Sequence, residues 1–227
     1  MQAHNPDPVL DIRGLAKAVP GGRRLFSGLE LSVAPGEIIA IMGESGIGKS
    51  TLLNLIAGLD AADAGSIRIA GADLAGLSDD ARTVLRRDRI GFVFQAFHIL
   101  PHLTLAHNIA LPLVLAHGPA AESLARAEAM LAKVGLGGRG NDYPAQLSGG
   151  ELQRIAIARS LVHRPALILA DEPTGNLDPE TADRVLALLL AEARASGAAA
   201  VIVTHSERAA AVADRVLVLG AGGLTVR

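Results

Sequence analysis

The chain has 227 residues, 50% of them hydrophobic, a net charge of −2 and no cysteine. That length buries a full core in one or two domains, and the charge gives no bulk pull toward nucleic acid or anionic lipid. Without cysteine, disulfides and thiolate metal sites are excluded. Aromatic residues make up only 2% and tryptophan is absent, which argues against base-stacking platforms for nucleic acid. No apolar run approaches the ~18 residues of a membrane span. Residues 1–8 show neither the basic start nor the apolar centre of a leader, so a soluble, cytoplasmic protein is expected.

Along the chain, Val9-Leu10-Asp11-Ile12-Arg13, Leu29-Glu30-Leu31-Ser32-Val33 and Ser66-Ile67-Arg68-Ile69 alternate apolar with polar, as antiparallel strands with one wet face do. Residues 37–42 form a short apolar strand. They run into Gly43-Glu44-Ser45-Gly46-Ile47-Gly48-Lys49-Ser50 and then Thr51, where a helix is predicted to continue as far as Gly58. The eight residues match G-x-x-x-x-G-K-[ST], the phosphate-binding P-loop, in its strand–loop–helix context. Glycines let the backbone curl so that several N–H groups face one anion, and the helix N-terminus adds its positive dipole end. Lys49 supplies a full charge for the outer phosphates, and the Ser50 hydroxyl suits Mg²⁺.

Farther on, Ile90-Gly91-Phe92-Val93-Phe94 reads as a buried strand leading to Gln95, followed by an apolar stretch at 96–101. That stretch is expected to serve either internal packing or a groove for a membrane-protein helix. From 104 to 162 the pattern is helical, with Leu124, Ala127, Met130, Leu131 and Val134 on one face. Within it, Leu147-Ser148-Gly149-Gly150-Glu151 opens a further helix. Ser148 and Glu151 have capping-box spacing, and the same free N–H groups and dipole make an anion site; the two readings share one geometry. Residues 166–170 and 200–204 are continuous apolar runs, as expected of central parallel strands, joined by an amphipathic helix over 179–195 with Asp178 as its N-cap. The first of these strands ends in Asp171-Glu172, where ligands bind in open α/β sheets. Neighbouring strand residues point to opposite sides, so the two carboxylates are expected to do different work. The second strand ends at His205. His98, His102, His107, His117 and His163 have no ligand spacing with acidic partners and are expected to be structural or exposed.

Taken together these motifs, in this order, resemble the ATP-binding subunits of ABC transporters over nearly the whole chain. Gly91-Phe92-Val93-Phe94-Gln95-Ala96-Phe97-His98-Ile99-Leu100-Pro101 and Asp171-Glu172-Pro173-Thr174-Gly175-Asn176-Leu177-Asp178 are most similar to the branch serving lipoprotein release, macrolide export and cell division. The resemblance implies an α/β fold: a P-loop NTPase (RecA-like) core at 1–95 and 164–227 carrying an N-terminal antiparallel β subdomain, and an inserted helical subdomain at 96–163. It implies ATP and Mg²⁺ as cofactors, a homodimer with ATP sandwiched between subunits, and a separately encoded permease, which would hold the chain at the inner face of the cell membrane. Residues 43–51 and Gln95 would bind ATP. Leu147, Ser148, Gly149, Gly150 and Glu151 would form the signature that meets the γ-phosphate of the partner's nucleotide. Ser50 and Gln95 would ligate Mg²⁺, with Asp171 acting through water. Glu172 would be the general base, His205 the γ-phosphate switch, and Asp178 part of the D-loop.

The chain departs from the family at the base. The position of the aromatic residue that usually stacks on adenine falls at Val19, and Phe26 belongs to the following strand. Adenine is therefore expected to be held by apolar contact, with GTP competing within roughly tenfold. Two neighbouring assignments stay open beside export or release: an amino-acid-type importer and a regulatory scaffold in cell division. A ribosome- or DNA-directed relative is disfavoured, because those usually carry two cassettes or a long coiled-coil insertion.

Overall fold

The computed structural model describes residues 7–227, so the reading of residues 1–8 falls mostly outside it. Strands β1 (Leu10–Ala18), β2 (Arg24–Val33), β4 (Ala64–Ile69) and β5 (Ala72–Asp73) form a four-stranded antiparallel sheet in the order β2-β1-β4-β5. Strands β3 (Ile38–Met42), β6 (Ile90–Val93), β7 (Leu167–Asp171), β8 (Ala199–Val203), β9 (Arg215–Gly220) and β10 (Gly223–Val226) form a six-stranded sheet in the order β10-β9-β3-β8-β7-β6. All its pairings are parallel except the terminal β9–β10 hairpin.

The central strands are apolar on both faces because both faces are covered. Ile39, Ile41, Leu167, Leu169, Val201 and Val203 point into a core shared with the antiparallel sheet and with helix α1 (Lys49–Ile56). Their neighbours Ile38, Ile168, Ala170, Ala200 and Ile202 point the other way, onto helices α5 (Gly149–Leu161) and α6 (Pro179–Ser196). Helix α2 (Asp79–Arg89) lies between the two sheets in sequence, capped by Ser78, with acidic residues in its first turn and arginines in its last, each matched to the helix dipole. A third core joins α3 (Leu105–Leu115) and α4 (Ala120–Lys133) to α5 through Leu105, Ile109, Leu131 and Ile155. Helix α5 therefore packs on the sheet with one face and on the helical insertion with the other. At Gly91 a Cβ would sit 2.2 Å from the Ser160 carbonyl oxygen, so β6 touches α5 backbone to backbone.

Pro179 starts α6 behind the Asp178 cap, whose carboxylate accepts from the Thr181 N–H, and Gly197 ends it at φ 73°. Helix α1 stops at Ile56, with Gly58 at φ 64° beyond it. The parallel strands deliver the ends of β3, β6, β7 and β8 to one edge of the sheet. There the P-loop, Gln95, Asp171 and His205 meet.

Candidate functional site

Helices α2, α3, α5, α6 and the short α7 (Glu207–Ala210) each start at a Ser, Thr or Asp whose side chain accepts from a first-turn N–H. Helix α1 does not. Its N-cap is Gly48, at φ 110° and with no side chain to occupy those donors. The loop before it is held by close approaches: a Cβ on Gly43 would lie 2.8 Å from the Leu219 carbonyl oxygen, and one on Gly48 would lie 3.2 Å from the Leu25 side chain. The result is an open N–H cradle at a positive helix end. It forms one wall of a cavity of about 580 Å³ lined by Ser45, Gly46, Gly48, Lys49, Ser50 and Thr51. The Glu44 and Gly43 carbonyl oxygens accept from Lys49, while the Ile47 side chain packs on the core and does not line the cavity.

The Lys49 ammonium donates to Gly43 O (2.9 Å) and Glu44 O (3.0 Å) and lies 3.0 Å from His205 Nε2. All three of its donors are thus engaged within the chain. Burial lowers its pKa, and the nearby Glu172 and Asp171 carboxylates partly oppose that. Asp171 ends β7 as expected, but Glu172 does not continue the strand. Its φ is +45°, a left-handed conformation rare outside glycine, and its N–H donates to Val203 O. This turn corrects the expectation that the two carboxylates point to opposite sides: both line the same cavity, together with His205. Glu172 Oε2 accepts from the His205 N–H at 3.3 Å. Its Oε1 is buried and without a hydrogen-bond partner. His205 Nε2 lies 3.5 Å from that oxygen and 3.0 Å from the Lys49 ammonium, between the two.

Gln95 lies on the same cavity, where its amide forms a reciprocal pair: Nε2 donates to Asn176 Oδ1 at 3.1 Å, and Asn176 Nδ2 donates to Gln95 O at 2.9 Å. The pair leaves the oxygen of the Gln95 side chain outside these bonds. From the sequence Asn176 falls in the D-loop and serves as a branch marker, without its contact to Gln95. A Cβ on Gly175 would approach Gln95 Nε2 to 2.9 Å, so the turn admits only glycine without moving that amide.

Ser50, Gln95 and Asp171 all line this cavity, and their oxygen-bearing side chains fit a hard divalent cation.

The signature residues stand apart. Ser148, Gly150 and Glu151 line a separate cavity of about 540 Å³, and none of them borders the P-loop cavity. The capping box is formed: Ser148 Oγ accepts from the Glu151 N–H, and Glu151 Oε2 accepts from the Ser148 N–H and Oγ–H. Those bonds hold the Glu151 carboxyl below its usual pKa, helped by Arg139. Gly149 and Ser148 are exposed. Leu147 packs on the helical core. A Cβ on Gly150 would fall 2.4 Å from Thr181 Cγ2, so α6 demands glycine there whatever ligand binds.

The other end of the P-loop cavity is formed by the β1–β2 hairpin mouth: Val19, Arg23 and Leu25. Arg23 and Leu25 were not singled out from the sequence. Phe26 is fully buried and cannot reach a ligand. Among the other histidines, His163 Nε2–H donates to the Ile90 carbonyl oxygen at 3.0 Å, and burial lowers its pKa.

The ABC transporter family matches residues 26–175. The lipoprotein-releasing system ATP-binding protein LolD 1 of Rhodospirillum rubrum is 47% identical over 96% of this chain and 97% of its own length. A macrolide export ATP-binding/permease protein, MacB, of Shigella flexneri is 44% identical over 92% of this chain, which spans 33% of that longer protein. Among solved structures, the ATP-binding cassette MJ0796, a dimer in a post-hydrolysis state bound to ADP and Pi, superposes with a TM-score of 0.85 at 36% identity, covering 96% of this chain and 97% of that one. With an open phosphate cradle facing paired carboxylates, and with these relatives along its length, the chain belongs to the ABC transporter family as one of its ATP-binding, ATP-hydrolysing subunits.

Proposed function

We propose that the chain powers lipoprotein release, working as a homodimer on a separate permease at the inner face of the membrane. Full-length similarity near 47% to lipoprotein-releasing ATP-binding proteins carries this reading. ATP lies in the P-loop cavity, its phosphates on the residue 43–51 cradle and Lys49. Ser50, Gln95 and, through a water, Asp171 would hold Mg²⁺, which would supply charge neutralisation at the phosphates. Glu172 accepts a proton from the attacking water, and its Oε1, which makes no hydrogen bond among the described residues, leaves it free for that work. His205 exchanges its Lys49 contact for the γ-phosphate. The signature at Ser148, Gly149 and Gly150 serves the partner subunit's nucleotide, which accords with its separation from the chain's own P-loop cavity. Asp178 anchors the D-loop against α6, and residues 96–163 are the helical subdomain that carries the signature, inserted between the core segments 1–95 and 164–227. The permease, rather than this chain, contacts the lipoprotein.

The test is steady-state ATPase activity of the purified chain with and without its permease, beside Lys49→Ala. That variant should lose nucleotide affinity in a fluorescent-nucleotide titration. Its circular dichroism should stay unchanged, although Lys49 also tethers two loop carbonyls. Loss of fold together with binding would make Lys49 structural.

For the permease contact, the structure moves attention from residues 96–101 to their neighbours. Phe97 turns toward Gly149, and Ile99 packs on the helical core. An apolar groove of about 410 Å³ lies alongside, lined by Phe92, Phe94, Leu111, Pro112, Leu115 and Leu59, with the Phe92 and Phe94 rings stacked 4.0 Å apart. Leu59 and Leu115 are 56% and 59% exposed, large for aliphatic side chains. The relative MacB is by name an ATP-binding/permease protein, of which this chain spans 33%, and a permease helix is the occupant proposed here. Leu59→Ser with Leu115→Ser should keep basal ATPase activity and weaken co-purification with the permease. Undiminished co-purification would refute the groove.

A further inference from the structure

We infer that Arg23 takes the place of the missing aromatic ring and covers the purine with its guanidinium plane. The inference rests on the reading of the P-loop cavity as the ATP site. Phosphates on the cradle leave the base at the end away from Asp171 and Glu172, where the hairpin mouth closes the cavity. That mouth is rigidly set. The Val19 N–H donates to Arg23 O at 3.0 Å, and the Gly22 N–H returns to Val19 O at 3.1 Å across a turn whose Gly21 and Gly22 both have positive φ. Val19 and Arg23 are thereby held side by side across the hairpin. Leu25, packed on Gly48, clamps the same strand over the P-loop.

Arg23 is exposed, and no carboxylate lies within ion-pair distance of it among the described residues. Its Nη2 makes only a long 3.5 Å contact to Gly46 O, at the loop's rim. A free arginine fork at the rim of an uncharged pocket end is suited to stacking, because a guanidinium is flat, weakly hydrated and attracted to π faces. Val19, half-buried on the core, offers apolar contact from its side of the mouth. Such stacking reads the ring face and not its edge, so ATP and GTP gain alike.

ADP is the probe, since it keeps the base and is not hydrolysed. Titration calorimetry would compare the intact chain with Arg23→Ala, Arg23→Lys and Arg23→Tyr. Alanine should weaken ADP about three- to tenfold. Tyrosine should restore the affinity to within about twofold, and lysine, which has charge but no flat face, should not. No loss in the alanine variant, failure of tyrosine to restore binding, or restoration by lysine each overturns the role of Arg23. An intact chain that does not bind ADP at all would instead overturn the nucleotide site itself. Thermal melts should coincide across the set, because an exposed residue at a hairpin mouth carries little of the core.

Discussion

Glu172→Gln is expected to lower ATP turnover by about 10²–10⁴-fold, the usual worth of a positioned base, while ATP binding persists. Glutamine keeps the length and shape of the side chain. Its oxygen can still accept from the His205 N–H, the one hydrogen bond that Glu172 Oε2 makes. What it loses is the carboxylate charge at the buried Oε1, which among the described residues accepts no hydrogen bond and so can take a proton without first breaking one. The left-handed backbone at Glu172 is set by the turn after β7 and by its N–H bond to Val203 O, neither of which the substitution touches. Binding and chemistry should therefore separate cleanly, and the ATP-bound dimer should accumulate because the step that opens it is blocked. Steady-state phosphate release and nucleotide titration on the same preparation decide the matter. Turnover near that of the intact chain would remove Glu172 from the role of base.

The parallel core was legible because its strands are apolar on both faces, and the cradle because its chemistry is local in sequence. Val9 to Arg13 and Ser66 to Ile69 alternated as one-faced strands do, and β1 and β4 run through them. Other elements were silent for physical reasons. Strand β10 is four residues long and pairs only with β9 at the sheet edge, so neither length nor pattern raises it above a loop. Helix α3 carries Pro112 inside it and is apolar nearly all round, which blurs its period. The turn at Glu172 was missed because strand alternation was carried one residue too far. The Gln95–Asn176 pair and the approach of Arg23 to the cavity join residues distant in the chain, and no local signal reports a contact made only by the fold.

Ser148→Arg should leave nucleotide binding by the single subunit intact and abolish ATP-driven dimerisation. In one chain the signature and the P-loop line different cavities, so a change at Ser148 does not reach the chain's own cradle. It would reach the partner's nucleotide, where a compact N-terminal cradle gives way to a long cation. The substitution has a second effect that needs its own control. Ser148 Oγ accepts from the Glu151 N–H, and Glu151 reaches back to the Ser148 N–H, so any replacement removes half of a capping box. Loss of an N-cap costs about 0.5–2 kcal/mol and frays the first turn of α5. Ser148→Ala carries that loss without the bulk, since the helix start must already accommodate Gly149 and Gly150 against Leu177 and Thr181. Size-exclusion chromatography with ATP, in the Glu172→Gln background, should show the parent as a dimer, the alanine variant as a weakened dimer and the arginine variant as a monomer. Circular dichroism should be alike in all three, because α5 is held from Ile155 to its end by two cores, beyond the turn that frays. Dimers that persist with arginine at this position would return Ser148 to helix capping alone. Monomers in both variants would assign the dimer contact to the ordered first turn rather than to the space above it.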